Sequence, residues 1–226
     1  MFYDISMILL IPGFLLGIYA QTKVNSVYNQ YSRVTSRSGY TGAEFARKML
    51  LDNGINDVAI VQIGGHLSDH YDPRANQVRL SSDVYNGTSI ASLGIAAHEV
   101  GHVIQHETKY YPLVIRNMVV PATNISSYIY MPLIMFGLIL NSMSMIQLGI
   151  VFFAVIVLFQ LITLPVEFNA SRRAIATLGG DQILDSNELT GAKKVLGAAA
   201  LTYVAALVTA LSQLLQFLWI FNRNDD

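Results

Sequence analysis

The chain has 226 residues, which excludes a long multidomain assembly, and 53% of them are hydrophobic while only 13% are charged. Soluble domains average about 45–50% apolar and about 25% charged residues, so this excess of apolar side chains indicates a protein partly covered by a membrane. The net charge of -1 argues against a nucleic-acid-binding surface, and the lack of cysteine excludes disulfides and thiolate metal sites.

Four uncharged apolar blocks predict helices that cross the membrane. They are Ile5–Gln21, Ser126–Leu140, Ile146–Leu164 and Leu196–Phe221. Most approach or exceed the roughly 20 residues that a helix needs to span a bilayer. The preceding "MFYD" carries an acid and no basic residue, which fits an uncleaved anchor. The short break "NSMSM" predicts that the second and third blocks form a helical hairpin, although the short second block, with Pro132, can also be buried in protein.

The positive residues favour one orientation in the membrane. Lys and Arg are concentrated in residues 22–125 and in the polar segment between the third and fourth blocks, which four spans place on the same side. The opposite side receives only "MFYD", the hairpin tip and the tail "NRNDD". Because positively charged loops tend to face the cytoplasm, we expect a multi-pass protein of the cell membrane with its catalytic domain in the cytoplasm and both termini outside.

The first polar segment predicts a small α+β domain. Thr41 begins a helix that closes at Gly54, since a threonine favours the N-cap and a glycine the end of a helix. Asp57–Ile63 is rich in β-branched residues, and Asn76–Ser81 alternates after the turn "YDPRAN", so both predict strands. A further helix starts at Thr88.

That helix carries an H-E-x-x-H motif in the stretch "AAHEVGHVIQH". Residues four apart share one helix face, so His98 and His102 can bind one metal ion, with Glu99 at the flank of the pair. In such motifs the histidines bind Zn²⁺ and the glutamate acts as general base. A chance match is the alternative, but imidazoles on an apolar helix are costly without a partner, which a metal ion supplies. Gly101 leaves room for a substrate or a neighbouring helix.

A catalytic zinc site needs a third protein ligand. The third histidine of the metzincin pattern is absent, because position 105 is Gln and position 108 is Thr. His106 lies on the ligand face but about 6 Å beyond the second ligand, which favours a supporting role or a solvated helix end. The remaining histidines are His66, which reads as a loop residue, and His70.

Glu167 is the better candidate for the third ligand. It follows the third apolar block, where a carboxylate is costly unless it is paired or metal-bound. A salt bridge from Glu167 to Arg172 or Arg173 is the alternative.

The combination of "LSDHYDPRANQVRLSSDVYNGTSIASLGIAAHEVGHVIQH" and "VEFNASRRA" resembles the bacterial YugP-like family of membrane-bound neutral zinc metallopeptidases. More distantly it is similar to the HtpX and CAAX prenyl protease group. The resemblance covers nearly the whole chain and implies that Glu167 is the third zinc ligand. In the HtpX-like pattern an aspartate four residues later supports a ligand histidine, whereas this chain has Ser171 there and Asn169 two residues after the glutamate.

We therefore expect a mainly α membrane protein with about four transmembrane helices and a small α+β zincin-like domain that carries the H-E-x-x-H helix. The expected segments are an N-terminal anchor (1–21), the zincin-like metal-binding domain (22–125), a transmembrane hairpin (126–164), a helix with the third ligand (165–195) and a C-terminal transmembrane helix with its tail (196–226).

The expected function is zinc-dependent cleavage of protein or peptide substrates, membrane-associated ones above all, near the cytoplasmic face of the bilayer. The strand Gln77–Ser81 precedes the metal helix, as the edge strand of zincins does, and is expected to pair with an extended peptide. An oxyanion donor is also needed, and the candidates left open are His70, Tyr71 and Arg173.

Two other functions are weighed against this one. A catalytically inert membrane scaffold or chaperone would use a structural zinc, closed by a fourth ligand such as His106 or His70. An intramembrane protease of the site-2 type commonly carries an aspartate ligand in an N-P-D-G context, for which this chain offers only "LDNG" at 51–54.

Overall fold

Long helices account for most of the described chain, which comprises residues 5–180 and 183–223 of a computed structural model. A 3-10 helix, Ile5–Leu10, leads into the first α-helix. In chain order the other elements are α1 Ile11–Tyr31, α2 Gly42–Asp52, β1 Ala59–Ile63, β2 His70–Asp72, β3 Gln77–Ser81, α3 Ser82–Tyr85, α4 Ile90–Glu107, α5 Tyr111–Ile139, α6 Met143–Gly180 and α7 Ser186–Arg223. The mainly α fold class is confirmed. Residues 1–4 and 224–226, which enter the orientation argument, lie outside the described residues.

Within the described residues, four helices are long and apolar enough to cross a membrane, so length and composition confirm the predicted number of spans. These candidate spans are Met7–Tyr31, Tyr111–Ile139, Met143–Gly180 and Ser186–Phe221. Each of these helices overlaps one apolar block and extends beyond it into residues that include polar side chains. Thus α5 begins at Tyr111, well before the predicted start at Ser126.

The chain divides into two compact units, and the first consists of apolar helices. Its centre is aromatic: the Phe153 ring lies 5.0 Å from that of Tyr130 and 5.2 Å from that of Phe217. α5 and α6 form the predicted hairpin, separated only by residues 140–142. A Cβ on Gly149 would lie 2.6 Å from Ile134 Cγ1, so a glycine is needed for this close packing. The unit contains the described parts of Met1–Gln21, Val114–Pro165 and Leu201–Asp226.

The second unit, Thr22–Leu113 and the described part of Val166–Ala200, contains the sheet. The strand order is β1-β3-β2, with β1 parallel and β2 antiparallel to β3. The expectation that Gln77–Ser81 pairs with an extended peptide is therefore wrong, because β3 has a neighbouring strand on both sides. The sequence did not predict β2 as a separate strand, since it has only three residues and borders the turn in which Asp72 accepts the Arg74 N–H.

The helix α2 forms as its sequence predicts. The Thr41 side chain accepts the Glu44 N–H at 3.2 Å, and the Glu44 carboxylate accepts the Thr41 N–H at 2.8 Å. This reciprocal capping box satisfies two amides that a helix otherwise leaves unpaired. The helix ends at Asp52, and Gly54 follows with a φ of +73°, which glycine adopts readily. Its apolar face, including Phe45 and Met49, is fully buried in the core.

The helix α4 places the motif residues inside this unit. Ser89 caps it by accepting the Ser92 N–H at 3.1 Å, and the helix begins at Ile90, two residues after the predicted start at Thr88. The helix packs against α2, β2 and β3, and its apolar residues share one core with Ala174 and Leu178 of α6. Polar side chains on so buried a helix need partners within the protein.

Candidate metal centre

The structure brings His98, His102 and Glu167 together. The two Nε2 atoms lie 3.2 Å apart, and Glu167 Oε2 lies 3.3 Å from His98 Nε2 and 3.5 Å from His102 Nε2. The histidines come from two successive turns of α4 and the glutamate from α6. Two ligand atoms from one helix and a third from a distant helix therefore surround one point.

This arrangement fits a metal ion. Two ligands about 2.0–2.1 Å from a tetrahedral zinc ion lie about 3.3 Å apart, close to the separations found here. Glu167 is 3% exposed, and its Oε2 is buried without a hydrogen-bond partner, although both ring nitrogens lie near it. A buried carboxylate oxygen left in this way is costly, and a cation held between it and the imidazoles removes that cost.

The second nitrogen of each histidine is also engaged. His98 Nδ1 lies 3.1 Å from Ser171 Oγ, and His102 Nδ1 lies 3.0 Å from Gln105 Oε1. If each Nδ1–H donates to its oxygen, each Nε2 keeps a lone pair for an ion. Such partners fix the orientation and tautomer of metal-binding histidines. Ser171 thus contacts a candidate ligand from the position that an aspartate has in the HtpX-like pattern.

Glu99 is buried beside the histidines but is not part of the converging group. Its Oε2 accepts the backbone N–H of Tyr71 in β2 at 3.1 Å, and the residue is 8% exposed. The edge strand β2 therefore holds one carboxylate oxygen in place. The other oxygen has no hydrogen bond to a described residue.

The electrostatics of the site favour a positive charge. Burial lowers the pKa of His102, but contact with Glu167 and the negative charge of Glu99 outweigh it, so the pKa lies above its ordinary value. The carboxylates that stabilise a protonated imidazole also stabilise a metal cation in its place.

Gly101 allows α4 and α6 to approach each other at the site. A Cβ at this position would lie 2.8 Å from the carbonyl oxygen of Ala170 and 3.2 Å from its Cα. Since these are backbone atoms, they cannot move aside cheaply. The sequence-based reading of Gly101 as room for a neighbouring helix is confirmed.

We expect Gly101→Ala to push α6 away from α4, to cost about 1–3 kcal/mol of stability, as overpacking does, and to weaken metal binding. The thermal midpoint and the zinc affinity of the purified protein measure both effects. Gly197→Ala is the matched control, since nothing lies within 4 Å of a Cβ placed there and alanine favours a helix. An unchanged midpoint and zinc affinity in Gly101→Ala would contradict the tight contact.

The other histidines lie apart from this group. His106 is half-exposed, with Nδ1 3.3 Å from the Tyr71 hydroxyl, as a solvated helix end is expected to be. His70 is exposed, and its Nδ1 lies 2.8 Å from Ser68 O. His66 lies in a loop, as predicted, with its ring 5.0 Å from that of Tyr28.

The remaining candidates on α6 and β2 have other partners. Arg173 Nε donates to Asn169 Oδ1 at 2.9 Å, and the described residues show no salt bridge from either Arg172 or Arg173 to Glu167. The hydroxyl of Tyr71 donates to Asn76 Oδ1 at 3.2 Å. The oxyanion donor stays a prediction with no residue assigned.

Sequence reasoning missed one residue of the site, Gln105. It is fully buried and bonded to His102, Val166 and Asn169. The available signal was an amide in an otherwise apolar stretch, three residues after a candidate ligand. In the sequence, Gln105 marks only a departure from the metzincin pattern.

A family model described as "Putative neutral zinc metallopeptidase" matches residues 6–222. The chain belongs to this family. One relative, "Putative membrane protease YugP" of Bacillus subtilis (strain 168), is 47% identical over 211 residues, which cover 93% of this chain and 94% of the relative. The YugP-like resemblance is therefore confirmed. No solved structure matches the chain.

Membership of the family supports a zinc-dependent protease that is associated with a membrane. In the described residues, His98, His102 and Glu167 form the one group of three or more histidine or carboxylate side chains placed to hold an ion.

Proposed function

We propose that this protein is a membrane-bound, zinc-dependent endopeptidase of the glutamate zincin type. The convergence of His98, His102 and Glu167, with separations of 3.2–3.5 Å, is the observation that carries this proposal. Two imidazoles and one carboxylate are the ligand set of several catalytic zinc sites. The chain has no cysteine that would favour a thiolate metal site.

Bound zinc supplies Lewis-acid activation of a water molecule and of the scissile carbonyl. Glu99 takes the proton from the attacking water on a carboxylate oxygen and then delivers it to the leaving amine. The N–H of Tyr71 donates to Oε2 and so restrains the Glu99 carboxylate. Burial keeps bulk water from competing for that proton.

The number of ligands favours an enzyme over an inert scaffold. A structural zinc site is closed by four protein ligands, whereas a catalytic site has three and an open position. Within the part of the chain that the structure describes, the group has three members, and neither His70 nor His106 belongs to it. The aspartate of "LDNG" pairs with Lys48, which gives no support to a ligand of the site-2 type.

The proposed site lies near the cytoplasmic face of the membrane. Glu167 follows the apolar run Ile146–Leu164 on the same helix by three residues, about 4.5 Å along the axis. Proteins whose cleavable segments emerge from the bilayer are therefore the proposed substrates. The orientation itself rests on the distribution of Lys and Arg.

Cysteine labelling tests this orientation, because the chain contains no cysteine of its own. Ala75 and Leu140 are both exposed, in the β2–β3 turn and at the hairpin tip. A membrane-impermeant maleimide is expected to label Leu140→Cys in intact cells and Ala75→Cys only after permeabilisation. The opposite labelling pattern would overturn the cytoplasmic location.

Removal and return of the metal test the activity. The purified full chain is expected to cleave an unstructured protein such as casein, to lose this activity with a zinc chelator, and to regain it when Zn²⁺ is added. Mass spectrometry of the fragments identifies internal cleavage. Loss of zinc without loss of cleavage would contradict the proposal, and a zinc-loaded chain that cleaves no unstructured protein would favour the scaffold.

A further inference from the structure

Gln105 stands out among the polar residues of α4 that the proposed chemistry does not use. Its side chain is fully buried, three residues after His102 and three before the first non-helical residue, Thr108. Burying an amide costs free energy unless its hydrogen-bonding atoms find partners. Each polar atom of this amide is therefore expected to have a hydrogen-bond partner.

The partners determine how the amide is oriented. Nε2 donates to the Val166 carbonyl at 2.8 Å and to Asn169 Oδ1 at 3.0 Å. Two acceptors around this atom require it to be the nitrogen, since an oxygen there would face two oxygens. Oε1 is left toward His102 Nδ1 at 3.0 Å, where it can only accept. His102 must then carry its proton on Nδ1, which frees Nε2 to bind an ion.

The same amide also holds α6. Val166 immediately precedes Glu167, and Asn169 lies two residues after it. Asn169 is itself fixed, because its Oδ1 also accepts Arg173 Nε at 2.9 Å. Gln105 thus connects a ligand on one helix to the backbone and side chains that flank the ligand on the other.

We infer that Gln105 is a positioning residue that couples the two halves of the site: it selects the Nδ1–H form of His102 and holds α6 where Glu167 meets both imidazoles. This inference rests on the proposed zinc site and adds the residue that assembles it. Among the described residues, the Ser171 hydroxyl has its side-chain hydrogen bond with His98, so it supports that ligand and does not link Glu167 to His102.

Two substitutions separate the roles of this amide. Gln105→Met preserves the approximate volume and removes all three hydrogen bonds. Gln105→Glu keeps an oxygen toward His102 Nδ1 and removes both donors toward α6. Gln62→Met is the control, because Gln62 is an exposed residue of β1 whose side chain bonds Ser82 outside the site.

The measurements are the zinc dissociation constant of the full chain, obtained by chelator competition, the thermal midpoint without metal, and the visible spectrum of the Co²⁺-substituted protein, which reports ligand geometry. We expect zinc affinity to fall about 10–100-fold in Gln105→Met, the range typical of lost support for metal ligands, with a changed cobalt spectrum. Gln105→Glu is expected to lose less affinity than Gln105→Met, and the control is expected to match the wild type.

Three results would overturn the inference. The first is a Gln105→Met protein that binds zinc within twofold of the wild type. The second is a lower thermal midpoint with unchanged zinc affinity and cobalt spectrum, since this shows a role in packing alone. The third is an equal loss of zinc affinity in Gln105→Met and Gln105→Glu, because it would show that the contact with His102 does not contribute. A wild-type chain that binds no zinc contradicts the proposed function, whereas a zinc-binding wild type with an unaffected Gln105→Met contradicts this inference alone.

Discussion

Replacement of Glu99 by glutamine is expected to lower the rate of peptide-bond cleavage about 10²–10⁴-fold, the contribution typical of a general base. Glutamine has nearly the same shape, and its amide oxygen can still accept the Tyr71 N–H, so the fold of the site should persist. It cannot take a proton from water. Because Glu99 does not belong to the group of candidate zinc ligands, zinc content is expected to stay at the wild-type level.

The measurement pairs a cleavage assay with metal analysis of the same preparation. Glu107→Gln is the matched control, since it makes the same change of charge on the same helix, at an exposed carboxylate. Cleavage by the Glu99→Gln protein at the control's rate would remove the general base from the mechanism. Cleavage lost together with zinc would show instead that Glu99 acts through the metal site.

Loss of a residue that supports a metal ligand typically lowers metal affinity about 10–100-fold. Glu167→Ala is expected to lower zinc affinity further, because it removes one of the three ligands. Cleavage should disappear with the metal. Chelator competition gives the affinity, and the thermal midpoint with and without Zn²⁺ gives an independent value, since a ligand that binds only the folded chain raises it. Glu167→Gln keeps the shape of the side chain and loses its charge, so its zinc affinity is expected to lie between that of Glu167→Ala and that of the wild type.

Glu188→Gln separates loss of a metal ligand from loss of a buried carboxylate. Glu188 is also buried in the second unit, where it accepts the backbone N–H groups of Arg37 at 2.8 Å and Asp185 at 3.0 Å. Its replacement should lower the thermal midpoint and leave zinc affinity unchanged. Equal loss of zinc in the Glu188 and Glu167 variants would mean that Glu167 acts through stability.

Local signals in the sequence predicted the elements that local physics determines. Thr41, Glu44 and Gly54 mark both ends of α2 by hydrogen bonding and backbone freedom within a few residues. The apolar blocks identified the spans because length and hydrophobicity are also properties of one continuous segment. They could not set the helix ends, since α1 continues to Tyr31 and α6 to Gly180 through residues that are not uniformly apolar.

The order of the strands could not be read in the same way. The position of β3 between its neighbours depends on β2, three residues whose pairing is supported by Asp69 accepting the Ser81 N–H at 2.7 Å. No periodic pattern is visible in so short a strand. The expectation of a peptide-binding edge at Gln77–Ser81 fails for this reason.

The candidate site was predictable to different degrees. The i, i+4 spacing places His98 and His102 on one face by helix geometry alone. Glu167 is distant in the chain, and only the cost of a carboxylate beside hydrocarbon and the family resemblance pointed to it. The contacts of Gln105 depend on the distance between α4 and α6, which Gly101 and Ala170 set and which no local pattern encodes.

Zinc X-ray absorption spectroscopy of the purified protein tests the coordination sphere most directly. We expect one zinc ion per chain with two imidazole nitrogens, one carboxylate oxygen and one oxygen from water, and loss of the carboxylate contribution in Glu167→Ala. Four protein ligands, or a spectrum that Glu167→Ala leaves unchanged, would contradict an open zinc site held by His98, His102 and Glu167.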